Sequence, residues 1–311
     1  MRILNAGPLS TVQDLGRIGY QSMGFSPSGA MDERALVIGN LLVGNPRDCA
    51  AVEMTLSGMS VRFDYPAVIA LTGADMNARL NGNVFPRYTA VYVNAGDTLV
   101  CGTAKSGCRG YLCVAGGIDV PVVMGSRSTN LKCRLGGYEG RKLAAGDWLP
   151  YGAALKNTEG RAYHPDEVRD ITELRVVLGP QDALFPKESI ETLLRETYTV
   201  TPSSDRMGTR LEGPAIQARE KSDIISDGIA AGSIQIPASG MPIILTADRQ
   251  TTGGYAKIAT VISVDLAKLA QVRPGGRVCF TEVSVYKARH IYKAQQAEYR
   301  KLEKGIGWKY V

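Results

Sequence analysis

The sequence predicts a mainly β protein made of two related barrel-like lobes, with a few short helices and a helical C-terminus. Three observations predict it. Thirty-five glycines are spread through 311 residues without any low-complexity tract, which calls for many tight turns and hence many short strands. Short apolar stretches alternate with Gly, Asn and Asp turns, and regular βα alternation is missing, which argues against a doubly wound parallel sheet. The opening stretch Arg2-Ile3-Leu4-Asn5-Ala6-Gly7-Pro8 is also echoed by Arg175-Val176-Val177-Leu178-Gly179-Pro180. Both are extended segments ending in Gly-Pro, which favours an internal duplication.

In chain order, Val68 to Leu71, Ala90 to Val93, Thr98 to Val100 and Tyr111 to Val114 read as strands of a first lobe, residues 1–155. Their boundaries are Asn81-Gly82, Ala95-Gly96-Asp97 and Gly116-Gly117. Residues 156–170 turn polar and read as a linker. Leu174 to Leu178, Ile234 to Ile236, Ile243 to Leu245, Ala259 to Val264 and Arg277 to Phe280 repeat the pattern in a second lobe, 171–284. Helices are expected over Asp32 to Val43, with Gly44 as its stop, over Ser189 to Tyr198, and from a capping Asp265 through Gln271. Residues 285–311 predict a basic C-terminal helix docked through Ala288, Ile291, Tyr292, Tyr299 and Leu302.

Composition removes several function classes. Hydrophobic residues make up 44% and charged residues 21%, values of an ordinary globular chain. The formal charge of +6 is concentrated in the tail, where seven basic residues after Ser284 face only Glu298 and Glu303. No basic stripe with interleaved aromatics crosses the body, so neither nucleic acid nor a membrane is an expected partner. The six cysteines have no zinc-knuckle or redox spacing and are expected to be reduced. With no export signal, the expected location is the cytoplasm. Only His164 and His290 are present, neither in the body of a lobe, which argues against a Ser-His-Asp or Cys-His centre and a histidine-ligated metal. No metal site is expected, and the chemistry falls to carboxylates, Lys, Arg, hydroxyls and backbone amides.

The densest such group is Asp248-Arg249-Gln250-Thr251-Thr252-Gly253-Gly254-Tyr255-Ala256-Lys257. Two hydroxyls and two permissive glycines can form an amide nest for a carboxylate or phosphate, with Asp248 as base or partner of Arg249 and Lys257 as a point charge. The bland reading is an elaborate turn in which Asp248 and Arg249 pair. Gly125-Ser126-Arg127-Ser128-Thr129 offers a guanidinium among three hydroxyls, and Ser203-Ser204-Asp205-Arg206-Met207-Gly208 repeats the combination. Neither has the Gly-Lys-Ser/Thr ending of a phosphate loop. Asp75, after the Thr72-Gly73-Ala74 turn, is a further candidate, and Glu53 is expected to be a structural partner for an arginine. The predicted catalytic residues are therefore Asp248, Arg249 and Lys257. The predicted substrate contacts are Asp75, Ser126, Arg127, Thr129, Asp205, Arg206, Thr251, Thr252, Gly253, Gly254 and Tyr255.

These segments also carry a resemblance. Gly7 to Arg17, Ser28 to Asp32, Leu71 to Asp75, Gly125 to Thr129, Ser204 to Gly208 and Asp248 to Tyr255 are similar to the family of 5-oxoprolinase C subunits. That family is also labelled allophanate hydrolase subunit 2 and is related to the carboxyltransferase region of urea carboxylase. The resemblance spans nearly the whole chain; Ala256 stands where proline is commoner. It implies two cyclophilin-like β-barrel lobes, without implying prolyl isomerase activity. It implies the 5-oxoprolinase B subunit as direct partner and the A subunit as a further one. Together these open 5-oxoproline to glutamate, with ATP and magnesium bound in the assembled complex. The substrate class is a small anionic or cyclic amide. Two other readings follow from the same resemblance. One is a biotin-dependent carboxyltransferase component for a small amide, and the other is a regulator that antagonises a kinase inhibitor. No Met-Lys-Met biotin attachment signature occurs in this chain, so carboxyl transfer would need a separate carrier.

Overall fold

The structure is a computed structural model that describes residues 1–153, 158–165 and 170–310. The chain divides into two compact units that are not strictly sequential. The first comprises Met1–Ile18, Ser28–Glu167 and Glu298–Val311, and the second Gly19–Pro27 and Val168–Ala297. Residues 156–157 and 166–169 of the expected linker lie outside the described residues. Between them, Arg161–Ala162 forms a short strand paired with Lys309–Tyr310 of the tail.

In the first unit, two five-stranded antiparallel sheets enclose the main core. One sheet orders Arg2–Asn5, Ser60–Arg62, Thr98–Val100, Arg79–Leu80 and Asn83–Val84. The other orders Ser10–Gln13, Ala51–Thr55, Ser106–Val114, Ala67–Asp75 and Val91–Val93. The two long central strands of the second sheet are buried on both faces, and the period of two explains how. Ile69, Leu71, Leu112 and Val114 point into the core between the sheets. Val68, Ala70, Tyr111 and Cys113 point to the other face, beneath helix α1, Glu33–Leu42. Asp32 caps α1 by accepting from the Ala35 amide at 2.8 Å, and Gly39 lets the helix approach the sheet. A Cβ there would lie 2.5 Å from Cys113 Sγ and 2.8 Å from Thr72 Oγ1.

The second unit is a closed seven-stranded barrel. Its order is Ile171–Leu178, Lys257–Val261, Ser233–Gln235, Ile243–Leu245, Gly208–Glu212, Tyr198–Val200 and Arg277–Glu282. The last strand closes the ring by pairing parallel with the first. Leu174, Val176, Leu211, Ile234, Ile244, Ile258, Val278 and Phe280 fill the interior. The two Gly-Pro echoes occupy matching places: each follows the first strand of its unit, and Gly7 and Gly179 both have positive φ.

Helix α2 covers Lys187–Arg195, while Tyr198, expected at the end of that helix, instead opens a strand. Helix α3 covers Ser263–Ala270 and starts two residues before the expected cap, because Asp265 is otherwise engaged. Its buried carboxylate accepts from the Arg175 backbone amide at 2.9 Å and from the guanidinium at 2.6 and 2.8 Å. Lys268 adds a contact at 2.9 Å. Helix α4, Val285–Glu303, buries only Tyr299 and Leu302, so it docks through its C-terminal end; Tyr292 is exposed.

Burial alone would raise the Asp265 pKa, but the Arg175 fork and amide with Lys268 outweigh it and hold the carboxyl below its ordinary 3.8. A lowered folded value means the stabilisation is complete above the unfolded pKa and is lost as pH falls through the folded one. Asp265→Asn should therefore cost about 2–3 kcal/mol at neutral pH. Its urea midpoint should also fall less steeply than wild type as pH drops from about 5 to about 2, measured by denaturation at each pH.

Candidate active site

In the second unit, the sequence-predicted residues meet where the barrel carries a two-stranded ribbon. Ile243–Leu245 leaves the barrel, turns at Asp248 and Arg249, and returns as the ribbon strand Thr252–Tyr255 before re-entering the barrel as Lys257–Val261. The other ribbon strand is Asp223–Gly228. Gly253 fits because a Cβ would meet Ile229, Gln250 and Gln235 at 2.6 to 2.8 Å. Neither Gly253 nor Gly254 has a positive φ, so this stretch is an extended strand and not an amide nest. Thr252 and Tyr255 are exposed, and the Thr251 carbonyl accepts from the Ile229 amide at 3.0 Å.

Asp248 does not pair with Arg249. Its carboxylate receives Arg206, Nε at 2.9 Å and a terminal nitrogen at 3.3 Å; Arg206 is buried and Asp248 keeps a tenth of its side chain exposed. The pairing is locked by backbone contacts: the Asp248 amide and the Thr246 hydroxyl both donate to the Arg206 carbonyl at 2.8 Å. Arg249 turns the other way and donates to the carbonyls of Ile229 and Thr246, each at 3.2 Å. Ser26, which no sequence motif singles out, donates to the Arg249 carbonyl at 2.5 Å. Asp205 shapes the preceding turn by accepting from the amides of Met207 and Gly208.

Lys257 is buried, with 3% of its side chain exposed, and its ammonium donates to Asp227 Oδ2 at 2.6 Å and to the Gly228 carbonyl at 2.8 Å. The Lys257 hydrogen bond, the Gly228 amide and the Lys257 charge hold the Asp227 carboxyl below the ordinary carboxylate value, with Gln181 adding to them. Gln181 brackets the pair. Its Nε2 donates to Asp227 at 3.2 Å, its Oε1 accepts from the Lys257 amide, and its own amide donates to the Lys257 carbonyl. Asp227 and Gln181 line an open groove of about 700 Å³ with Leu184, Arg219, Lys221 and Asp223. Sequence reasoning missed both, because Ser-Asp-Gly (226–228) reads as a turn and Gln181 follows Gly-Pro; the register of the ribbon brings Asp227 to Lys257, and the barrel pairing of Ile171–Leu178 with Lys257–Val261 brings Gln181.

The remaining candidates belong to the first unit. Within the Gly125–Thr129 segment the Ser126 and Ser128 hydroxyls and the Arg127 amide cradle an anion, and the anion is the chain's own Asp14. That buried carboxylate accepts four hydrogen bonds, from the hydroxyls of Ser126 and Ser128 and the amides of Gly16 and Arg127. The Arg127 guanidinium donates to the Val120 carbonyl and Asp119, and the Thr129 hydroxyl to the Val12 carbonyl. Asp75 accepts from the Asn77 amide. Glu53 is buried and takes Tyr111 OH at 2.6 Å, with Arg109 at 3.9 Å. Among the described residues, no cluster of His, Cys, Asp and Glu can hold a metal ion, and no helix is long and apolar enough to cross a membrane.

A two-unit β chain of this kind matches the carboxyltransferase domain, subdomain A and B, over residues 23–282. It is 39% identical to the C subunit of 5-oxoprolinase from Escherichia coli (strain K12) over 309 residues, covering 99% of this chain and 98% of that one. The corresponding Haemophilus influenzae protein is also 39% identical, with 94% of each chain covered. Among solved structures, the Kluyveromyces lactis urea carboxylase superposes with a TM-score of 0.92 at 31% identity, over 97% of this chain and 29% of that one. The chain thus spans under a third of that larger enzyme. It belongs to the family of 5-oxoprolinase C subunits within the carboxyltransferase-domain proteins.

Breaking the Arg206–Asp248 pair leaves a buried charge behind. Arg206→Met should destabilise the protein by about 3 kcal/mol. Adding Asp248→Asn should recover at least about 1 kcal/mol of coupling in a double-mutant cycle, read from denaturant unfolding.

Proposed function

We propose that this chain is the C component of an ATP-dependent 5-oxoprolinase that opens 5-oxoproline to glutamate. In this reading it works in the cytoplasm with the A and B components and contacts the B component directly. The observation that carries the reading is the end-to-end match to the Escherichia coli 5-oxoprolinase C subunit, 39% identical with 98% of that chain covered. ATP and magnesium belong to the assembled complex, because this sequence has no phosphate loop of its own.

The chemistry suits the residues. Opening a lactam requires stabilisation of negative charge on the ring carbonyl oxygen, by phosphorylation or by aligned donors. Lys257 is the buried cation behind Asp227 of the groove, Gln181 supplies an amide that can match the lactam, and the Arg206–Asp248 pair holds the turn that leads into the ribbon. Arg127, Ser126, Thr129, Asp205 and Asp75 act in this reading by shaping their loops, since their polar atoms bond within the chain. A carboxyltransferase role is the second reading, favoured by the TM-score of 0.92 with urea carboxylase. A biotinylated carrier would then be a required partner.

ATP-dependent glutamate formation from 5-oxoproline should appear only when this chain is combined with the A and B components. The isolated chain should hydrolyse no ATP. Transfer of carboxyl from a biotin carrier to urea, without 5-oxoproline turnover, would decide for the second reading. Lys257→Ala should lower turnover of the complex at least about tenfold, roughly 1.4 kcal/mol of transition-state stabilisation, while assembly of the complex, measured by gel filtration, stays at the wild-type level.

A further inference from the structure

We propose that Asp227 is a built-in carboxylate occupying the anion position on Lys257, and that a small monocarboxylate ligand takes that position by displacing it. The choice of 5-oxoproline as the natural ligand rests on the function proposed above; the displacement itself rests on geometry.

The two partners differ in burial. Lys257 has 3% of its side chain exposed, whereas Asp227 has 53%, and Asp227 lines the groove while Lys257 does not. The Asp227 carboxylate thus stands between the ammonium and the groove. Replacing one carboxylate by another keeps the buried cation paired throughout, so the exchange avoids the large cost of a bare charge in the interior.

The ribbon is built to yield at this point. Asp223 faces Tyr255 and Asp227 faces Gly253, so three residues, Ile224 to Ser226, stand opposite Gly254 alone. Such a bulge breaks the ladder and re-aims side chains. Ile225 at its centre is 95% exposed, so moving the strand pulls little apolar surface out of a core. Among the described residues, Asp223–Gly228 has no other partner strand than Thr252–Tyr255.

The groove also selects the ligand. Arg219 and Lys221 attract an anion, while Glu220 and Asp223 on the same wall oppose a highly charged one such as a phosphate dianion. When Asp227 leaves, the Gln181 amide that donated to it becomes available to a carbonyl of the ligand. A single carboxylate on a short, uncharged amide body meets these conditions, and the groove of about 700 Å³ accommodates it.

The test is an NMR titration of the full chain and of Asp227→Asn with three probes: acetate, 5-oxoproline, and 2-pyrrolidone, a lactam without the carboxylate. Removing the competing carboxylate should tighten acetate and 5-oxoproline binding about fivefold, the scale of one partly exposed ion pair. Binding of 2-pyrrolidone should be the same in both proteins, and Lys257→Met in the Asp227→Asn background should abolish the gain. Tighter acetate binding with no 5-oxoproline binding would retain the displacement and remove 5-oxoproline as the ligand of this site, whereas the 5-oxoprolinase reading itself stands or falls with turnover by the assembled complex. Acetate binding that is absent, unchanged or weakened in Asp227→Asn would overturn the displacement, whatever the complex turns over.

Discussion

A buried ammonium must have an anion, and in the second unit that need organises everything around the groove. Lys257 opens a barrel strand that pairs with Ile171–Leu178 on one side and Ser233–Gln235 on the other, so its backbone cannot move without opening the barrel. Its side chain leaves the barrel and ends on the ribbon, at Asp227 and the Gly228 carbonyl. A two-stranded ribbon alone is marginally stable in water. Here it is moored at Lys257, at the Ile229–Thr251 backbone bond, and at Gln235, which donates to the Tyr255 carbonyl. The groove, the ribbon and the Gln181 bracket meet at one ion pair with a buried end and an exposed end.

Asp14 in the first unit and Asp227 in the second are both carboxylates of the chain that occupy an anion site, and the two sites are built differently. Asp14 is fully enclosed, and its partners are hydroxyls and amides of loops that have no other use for those donors. Removing it would leave two buried hydroxyls and two half-buried amides without their acceptor, so this site works as a clasp between the N-terminal strand and the Gly125–Thr129 loop. Asp227 instead presents its carboxylate to solvent on an irregular strand and meets a single buried cation. The first arrangement suits permanence and the second suits exchange, although both began as similar polar runs in the sequence.

Much of the fold was legible because it follows local rules. The apolar runs Val68 to Leu71 and Tyr111 to Val114 between their turns, the helix start at Asp32 and the stop at Gly44 were enough to find two central strands and the first helix. The duplication was legible through Gly7 and Gly179, where a positive φ demands the same residue twice. The candidate site was only half legible. Asp248, Arg206 and Lys257 stood out by chemistry, but the pairing of Asp248 with Arg206, 42 residues away, and of Lys257 with Asp227, 30 residues away, is chosen by strand register. Asp265 misled for a related reason: a residue suited to capping was recruited by Arg175, 90 residues away, and the helix began without it. Side chains that serve distant partners leave no local signature.

The chain is similar to both the 5-oxoprolinase C subunit and urea carboxylase, and the function proposed above places a small amide in the groove beside the paired lysine. The central claim is that the Lys257 ammonium is the anchor for that ligand's charge. A crystal structure of the assembled complex with 5-oxoproline bound tests this most directly. The account predicts the ligand carboxylate within about 3 Å of Lys257 Nζ, with Asp227 swung into the groove mouth. A ligand bound elsewhere, with the Lys257–Asp227 contact intact, would contradict it.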